Sequence, residues 1–279
     1  MGQCAGRDLN KWFSIATVPQ RHLSARSCSC GTLADVLPAG CLWHHANCEA
    51  KPALISKVDR SVLENDGVRQ AVRDAGHGHL LMSDDDVSAS LAATLARQPT
   101  GKPVWVFGYG SLIWNPLMEY AERVPGRIHG FHRGFYLWSK VNRGSPEVPG
   151  LVLGLDRGGS CQGVAYRLHD DKLARELALL WRREMVIGTY RPCWVSLDLG
   201  NHKVRAIAFV VDRKKAGYTG RLGDAQIVSI ALKACGHYGS CADYLVQTAH
   251  SLEQAGIADP RMSRLAKLVA RARDPSPRN

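Results

Sequence analysis

The chain has 279 residues, 45% of them hydrophobic, which is enough for one sizeable core with extensions or two modest domains. No apolar run approaches the roughly 20 residues needed to span a membrane, and the N-terminus lacks the basic-then-apolar pattern of a signal peptide. The formal net charge is +11, and all of the excess lies after residue 100, because residues 1–100 carry ten charges of each sign. No block of Lys and Arg with interleaved aromatics is present, so a solvated basic surface or an acidic small substrate is expected rather than nucleic acid.

Residues 1–56 show no clean period and hold five of the nine cysteines. Cys28, Cys30, Cys41, His44, His45 and Cys48 are zinc-type ligands, but Cys-x-Cys is not the usual ligand spacing. This stretch reads as a Cys-rich, disordered or accessory extension, with no metal assigned to it. An odd cysteine count without a secretory signal points to reduced thiols and a cytoplasmic location. Gly6 stands where a myristoylation signal needs Ser or Thr, so no lipid anchor is expected.

Residues 57–101 read as a helical prelude. One helix is expected over Asp59 to Asp74, interrupted at Gly67. A second starts at Ser83, which forms a capping-box pair with Asp86. Val87, Leu91 and Leu95 then share one face, and Pro99 and Gly101 end it.

Residues 102–273 form the expected main domain. Val104 to Phe107 is a continuous apolar run preceded by Pro103, the pattern of a buried strand. It runs into Gly108-Tyr109-Gly110-Ser111, where two glycines permit close approach to the backbone and Ser111 adds a hydroxyl. Such a loop is suited to holding a small polar or anionic group on main-chain donors. Further strands are expected at 127–131, 135–141, 151–155, 163–168, 189–199 and 204–211, with Gly158-Gly159 as a turn. One helix interrupts them at about Asp170 to Met185, and three more follow at 225–235, 243–255 and 261–273. Seven strands with few helices among them predict an α+β fold, a mixed or antiparallel barrel-like sheet with flanking helices. Residues 274–279 read as a frayed tail.

The interrupting helix carries an anomaly. Leu173, Leu177, Leu180 and Trp181 lie on one face, and the next position of that face holds Glu184. A carboxylate on a core-facing stripe is costly unless paired or functional. Burial and the negative end of the helix dipole both raise its pKa, which suits it to proton transfer near neutral pH. The alternative is a frayed helix end at which Glu184 reaches solvent or pairs with an arginine. Arg182 is expected on the opposite side and Arg183 toward the flank.

Phe107-Gly108-Tyr109-Gly110-Ser111-Leu112-Ile113-Trp114, Arg143-Gly144, Gly163-Val164-Ala165-Tyr166-Arg167 and Arg183-Glu184 occur in this order. Together they resemble the ChaC family of glutathione-specific γ-glutamylcyclotransferases. Cys235-Gly236-His237-Tyr238-Gly239-Ser240-Cys241 with Tyr244-Leu245 resembles its bacterial branch. The resemblance covers about residues 80–272. It implies a carbon–nitrogen lyase that cleaves glutathione to 5-oxoproline and Cys-Gly without metal or cofactor, on a mixed α/β barrel. It implies that Gly108, Tyr109, Gly110, Ser111, Leu112 and Ile113 bind the γ-glutamyl group and that Glu184 is the catalytic acid/base. Met185-Val186-Ile187-Gly188 follows Glu184 as in bacterial members, where eukaryotic members have a shorter step.

Other readings fit less well. Gly108-x-Gly110-x-x-Ile113 lacks the third glycine of a dinucleotide fingerprint, and strands follow it instead of a second βαβ unit. Ser111 lacks the Gly-x-Ser-x-Gly elbow of a serine hydrolase. A non-catalytic binding protein on the same scaffold would be expected to lose Glu184. A cyclotransferase for other γ-glutamyl amides is the nearest alternative. Trp138, Trp181 and Trp194 are read as core, and Arg143 as shaping a turn. Tyr218 and Tyr238 are secondary candidates for substrate contact. Cys161 and Cys193 are read as packing thiols.

Overall fold

A computed structural model describes residues 58–274. The Cys-rich extension with its zinc-type residues and the tail from residue 275 lie outside the described residues. Helices α1 (Arg60–Glu64), α2 (Gly67–Asp74) and α3 (Asp84–Leu95) come first. Next are β1 (Trp105–Gly108), β2 (Tyr120–Ser139), β3 (Gly150–Leu168), α4 (Leu173–Glu184), β4 (Tyr190–Asp198) and β5 (Lys203–Val211). The chain continues with α5 (Asp224–Lys233), the short pair β6 (Cys235–Gly236) and β7 (Gly239–Ser240), α6 (Cys241–Gln254) and α7 (Pro260–Arg273).

Strands β1 to β5 close into a barrel in the order β1-β3-β2-β4-β5. β1 is buried throughout, as its apolar run requires. It pairs antiparallel with β3 and parallel with β5, and so closes the ring. The expected α+β barrel is therefore present, with fewer and longer strands than the sequence pattern predicts. The four strands expected at 127–131, 135–141, 151–155 and 163–168 are two, β2 and β3, paired from Tyr120↔Leu168 to Ser139↔Gly150. Gly158 and Gly159 do not end a strand. With Gly130 they take positive φ, and a bulge between His129 and Phe131 bends the ribbon without breaking its pairing. The first turns of β2 escape the pattern because they carry Glu122, Arg123 and Pro125 on a part of the strand that β4 does not reach.

The prelude forms as expected, with one shift. The break falls at Asn65-Asp66, where Asp66 takes φ 58°, and Gly67 opens the second helix. Ser83 Oγ accepts the Asp86 N–H at 3.0 Å and donates to the Asp86 carboxylate at 2.7 Å, capping α3. Val87, Leu91 and Leu95 pack on the barrel core. Ser90 accepts the Trp181 indole N–H at 3.2 Å, and the Thr94 carbonyl accepts that of Trp194 at 2.8 Å.

Helix α4 carries a second off-pattern glutamate. Glu176 is fully buried, three residues after Leu173 and on the same stripe. Arg60 of α1 grips both of its oxygens, at 2.8 and 2.7 Å, and the Glu119 N–H adds a third bond at 2.9 Å. Burial pushes the Glu176 carboxyl up, but the Arg60 guanidinium and the Glu119 N–H outweigh it and hold the carboxyl below its usual range. Its contribution to stability is therefore complete above about pH 4.3, the ordinary glutamate value. It is lost as the pH falls through the depressed folded value. Arg60→Met strands this carboxylate and should destabilise the fold by roughly 3 kcal/mol in urea unfolding at pH 7. The deficit should shrink in acid, where Glu176 is neutral in either chain.

Candidate active site

The loop after β1 is shaped by contacts on its carbonyl side. Arg133 Nη1 donates to the Tyr109 carbonyl at 3.0 Å, and Asp259 holds that arginine through Nε at 3.1 Å. Tyr166 Oη donates to the Leu112 carbonyl at 2.7 Å. The Ile113 N–H closes a 3-10 turn over Ser111–Ile113 onto the Gly110 carbonyl at 2.9 Å. The N–H groups of Gly110, Ser111 and Leu112 donate to no acceptor among the described residues. The turn therefore presents a short row of main-chain donors, the geometry of an anion-binding nest.

This row lines a pocket together with Tyr109, Leu153, Glu184, Tyr190, Phe209 and Tyr244. Of the six loop residues singled out in the sequence, Tyr109, Gly110, Ser111 and Leu112 line it. Ile113 is buried behind them, and Gly108 supports the turn, since a Cβ there would sit 3.0 Å from Leu112 Cβ. Gly110 is needed for close approach: a Cβ there would lie 3.2 Å from the Tyr244 hydroxyl.

Glu184 is the last residue of α4 and lines the same pocket. Leu177, Leu180 and Trp181 anchor its stripe in the core. The glutamate side chain is 13% exposed. It does not fray into solvent, yet it does pair with an arginine, Arg183, whose Nε lies 3.1 Å from its Oε1. Arg183 is not turned to the flank as expected. Its Nη2 donates to Ser111 Oγ at 2.9 Å and its Nη1 to the Asn115 carbonyl. The arginine ties the end of α4 to the loop, which helical geometry alone does not reveal.

Burial pushes the Glu184 carboxyl above its ordinary value, against the opposing pull of Arg183. Desolvation in turn lowers the Arg183 guanidinium. The two buried glutamates of α4 thus diverge. Glu176 is held ionised by a two-pronged clamp, whereas Glu184 pairs with Arg183 alone among the described residues, lines a pocket and has a raised affinity for a proton. Groups poised in this way in a concave site suit acid–base chemistry.

Three pocket residues were not singled out in the sequence: Tyr190, Phe209 and Leu153. Each lies on a strand at a position that its alternation assigns only to the barrel interior. Tyr244 stands in the bacterial-type motif, but nothing local marks its hydroxyl as facing the loop. Conversely, Tyr218 donates to Asp156 at 2.8 Å and stacks on Tyr136, and Tyr238 is buried against the prelude; neither lines the pocket. Arg143 does more than shape a turn. Its guanidinium stands 5.4 Å from the Tyr244 ring and 6.0 Å from that of Trp114, and it donates to the Tyr238 carbonyl. Trp181 is core, as expected, while Trp138 and Trp194 are partly buried against it. Cys161 is buried and Cys193 intermediate in exposure.

A closed α+β barrel whose pocket holds a carboxylate of raised pKa beside a donor-lined loop defines the class. A crystal structure of a yeast γ-glutamyl cyclotransferase specific to glutathione has the same fold, with a TM-score of 0.57 at 21% identity. The match covers 63% of this chain and 99% of that one. The chain belongs to the ChaC family, whose model, described as ChaC-like protein, matches residues 104–272. It is 42% identical over 187 residues to the glutathione-specific γ-glutamylcyclotransferase of Escherichia coli K12, spanning 67% of this chain and 81% of the relative. It is 32% identical over 158 residues to human glutathione-specific γ-glutamylcyclotransferase 1, spanning 55% and 71%. No helix among the described residues is long and apolar enough to cross a membrane.

Proposed function

We infer that this chain is a γ-glutamylcyclotransferase that converts glutathione to 5-oxoproline and Cys-Gly. The observation that carries the reading is the juxtaposition of Glu184, buried and raised in pKa, with a loop whose N–H groups are unspent, in one pocket of a ChaC-family barrel.

The reaction closes a five-membered lactam. The α-amine of the glutamyl unit attacks its own γ-carbonyl, the new C–N bond forms, and the bond to the cysteine nitrogen breaks. The loop Gly108–Ile113 grips the α-carboxylate on the N–H groups of Gly110, Ser111 and Leu112, which folds amine and carbonyl together. Held pairs of this kind reach effective molarities of ~10⁵–10⁸ M. The amine arrives as an ammonium and must lose a proton, and the departing amine must gain one. A single carboxylate does both in sequence, and the raised pKa of Glu184 in the pocket supports that role for it. Ser111 is a holding residue, since its hydroxyl accepts from Arg183 and, among the described residues, no histidine lines the pocket as its base. The catalytic unit is residues 102–273 with the prelude docked on it, and the reaction takes place in the cytoplasm, the compartment that suits reduced cysteines.

The test is 5-oxoproline release from glutathione and from γ-glutamyl-alanine by the same preparation. A kcat/KM for glutathione well above that for the dipeptide is expected. A preference for the dipeptide overturns the glutathione assignment while leaving the cyclotransferase reading intact.

A further inference from the structure

Among the described residues three tyrosines line the pocket, and their hydroxyls are not equivalent. Tyr109 Oη donates its proton to the Phe209 carbonyl at 2.7 Å. Tyr190 Oη donates to the Leu153 carbonyl at 2.9 Å. Both protons are committed to the barrel wall. Tyr244 Oη instead accepts the Leu153 N–H at 3.3 Å and donates to no acceptor among the described residues. Its oxygen lies over the loop, 3.2 Å from where a Cβ on Gly110 would stand, so its proton is available to whatever occupies the pocket.

The surroundings hold this hydroxyl in place as a donor. The Tyr244 ring is nearly buried, edge-on to Trp114 and Phe135, with the Arg143 guanidinium against it. Burial pushes the phenol up to about 12, while the Leu153 N–H and Arg143 pull against that rise. The group stays protonated at neutral pH. A bond accepted from a backbone N–H polarises the O–H, and a buried, rigid donor needs no reorganisation when negative charge appears beside it.

We propose that Tyr244 is a further catalytic residue, whose Oη–H donates a hydrogen bond to the γ-carbonyl oxygen as that oxygen becomes negative during ring closure. The inference rests on the cyclotransferase reading. It divides the labour of the pocket: loop N–H groups hold the α-carboxylate, Glu184 moves the protons, and Tyr244 stabilises the oxyanion. No bond to the tyrosine forms or breaks, and its proton stays on Oη throughout.

Tyr244→Phe keeps the ring, its aromatic neighbours and the Arg143 contact, and removes only the donor. The expected result is a fall in kcat of about 100-fold or more, the usual cost of one oxyanion donor, with KM for glutathione nearly unchanged. 3-Fluorotyrosine in place of Tyr244 restores a more acidic donor. It should recover most of kcat and bring the alkaline limb of the pH–rate profile to lower pH. A normal kcat in Tyr244→Phe, or a loss confined to KM, overturns the proposal. So does failure of the fluorinated residue to restore turnover, a comparison that stands even if the phenylalanine variant folds poorly. Wild-type turnover that is lost in Glu184→Gln but kept in Tyr244→Phe removes this inference and leaves the cyclotransferase reading standing. An absence of 5-oxoproline from the wild type removes both.

Discussion

Glu184→Gln should abolish 5-oxoproline release, by about 10²–10⁴-fold or more, while glutathione binding measured by calorimetry stays close to that of the wild type. Gln matches Glu in size and keeps an oxygen toward Arg183 Nε, now 3.1 Å from the carboxylate. It cannot take a proton from the α-ammonium or hand one to the leaving amine, and those transfers carry the stated factor. The proposed loop donors are main-chain N–H groups, which the substitution does not remove. The cost to the fold is an Arg183 left with neutral partners only, Ser111 and the Asn115 carbonyl, so some loss of stability should accompany the loss of rate. A variant that kept near-normal kcat would remove Glu184 from the chemistry.

Arg183→Met should also lower activity, and its signature is in the pH profile. The guanidinium opposes the burial that raises the Glu184 carboxyl. Without it that carboxyl rises further. Because the base acts only when deprotonated, the acid limb of kcat/KM then moves to higher pH. The same change frees Ser111 and removes a charge-assisted bond worth ~1.5–3 kcal/mol, so kcat/KM at neutral pH should fall by about 10- to 100-fold. Arg183→Lys keeps the charge but not the fork between Glu184, Ser111 and the Asn115 carbonyl. It should leave the acid limb nearly in place while losing part of the rate. An acid limb that stays fixed in Arg183→Met would mean that the ion pair does not tune Glu184.

These expectations depend on features that differ in how far the sequence exposes them. β1 is legible because an apolar run ending at two glycines has few other solutions. Glu184 is legible as an interruption of a helical stripe. Glu176 interrupts the same stripe but is less legible, because three-residue spacing from Leu173 is less conspicuous. What separates the two is a partner 116 residues away, Arg60, which no local pattern encodes. The strand count erred for a related reason. Gly130 and the Gly158-Gly159 pair look like punctuation, yet long-range pairing across the β2–β3 ribbon carries the chain through them with positive φ. Tyr190 and Tyr244 were invisible as pocket residues because facing a pocket and facing a core give the same alternation. The flank position expected of Arg183 does not reveal its role, because a long side chain at a helix end is directed by what it can pair with, here Ser111 and Asn115, and less by the angle of its Cα.

The central claim is that a single buried carboxyl, held above its ordinary pKa, does the proton transfers. Its most direct test is to titrate that carboxyl itself, as the infrared difference between wild type and Glu184→Gln across pH, alongside the acid limb of kcat/KM. The carboxyl band should titrate above the usual glutamate range and coincide with the kinetic limb, which reports the free enzyme. A carboxyl that titrates at the ordinary glutamate value, or apart from the kinetic limb, would contradict the account.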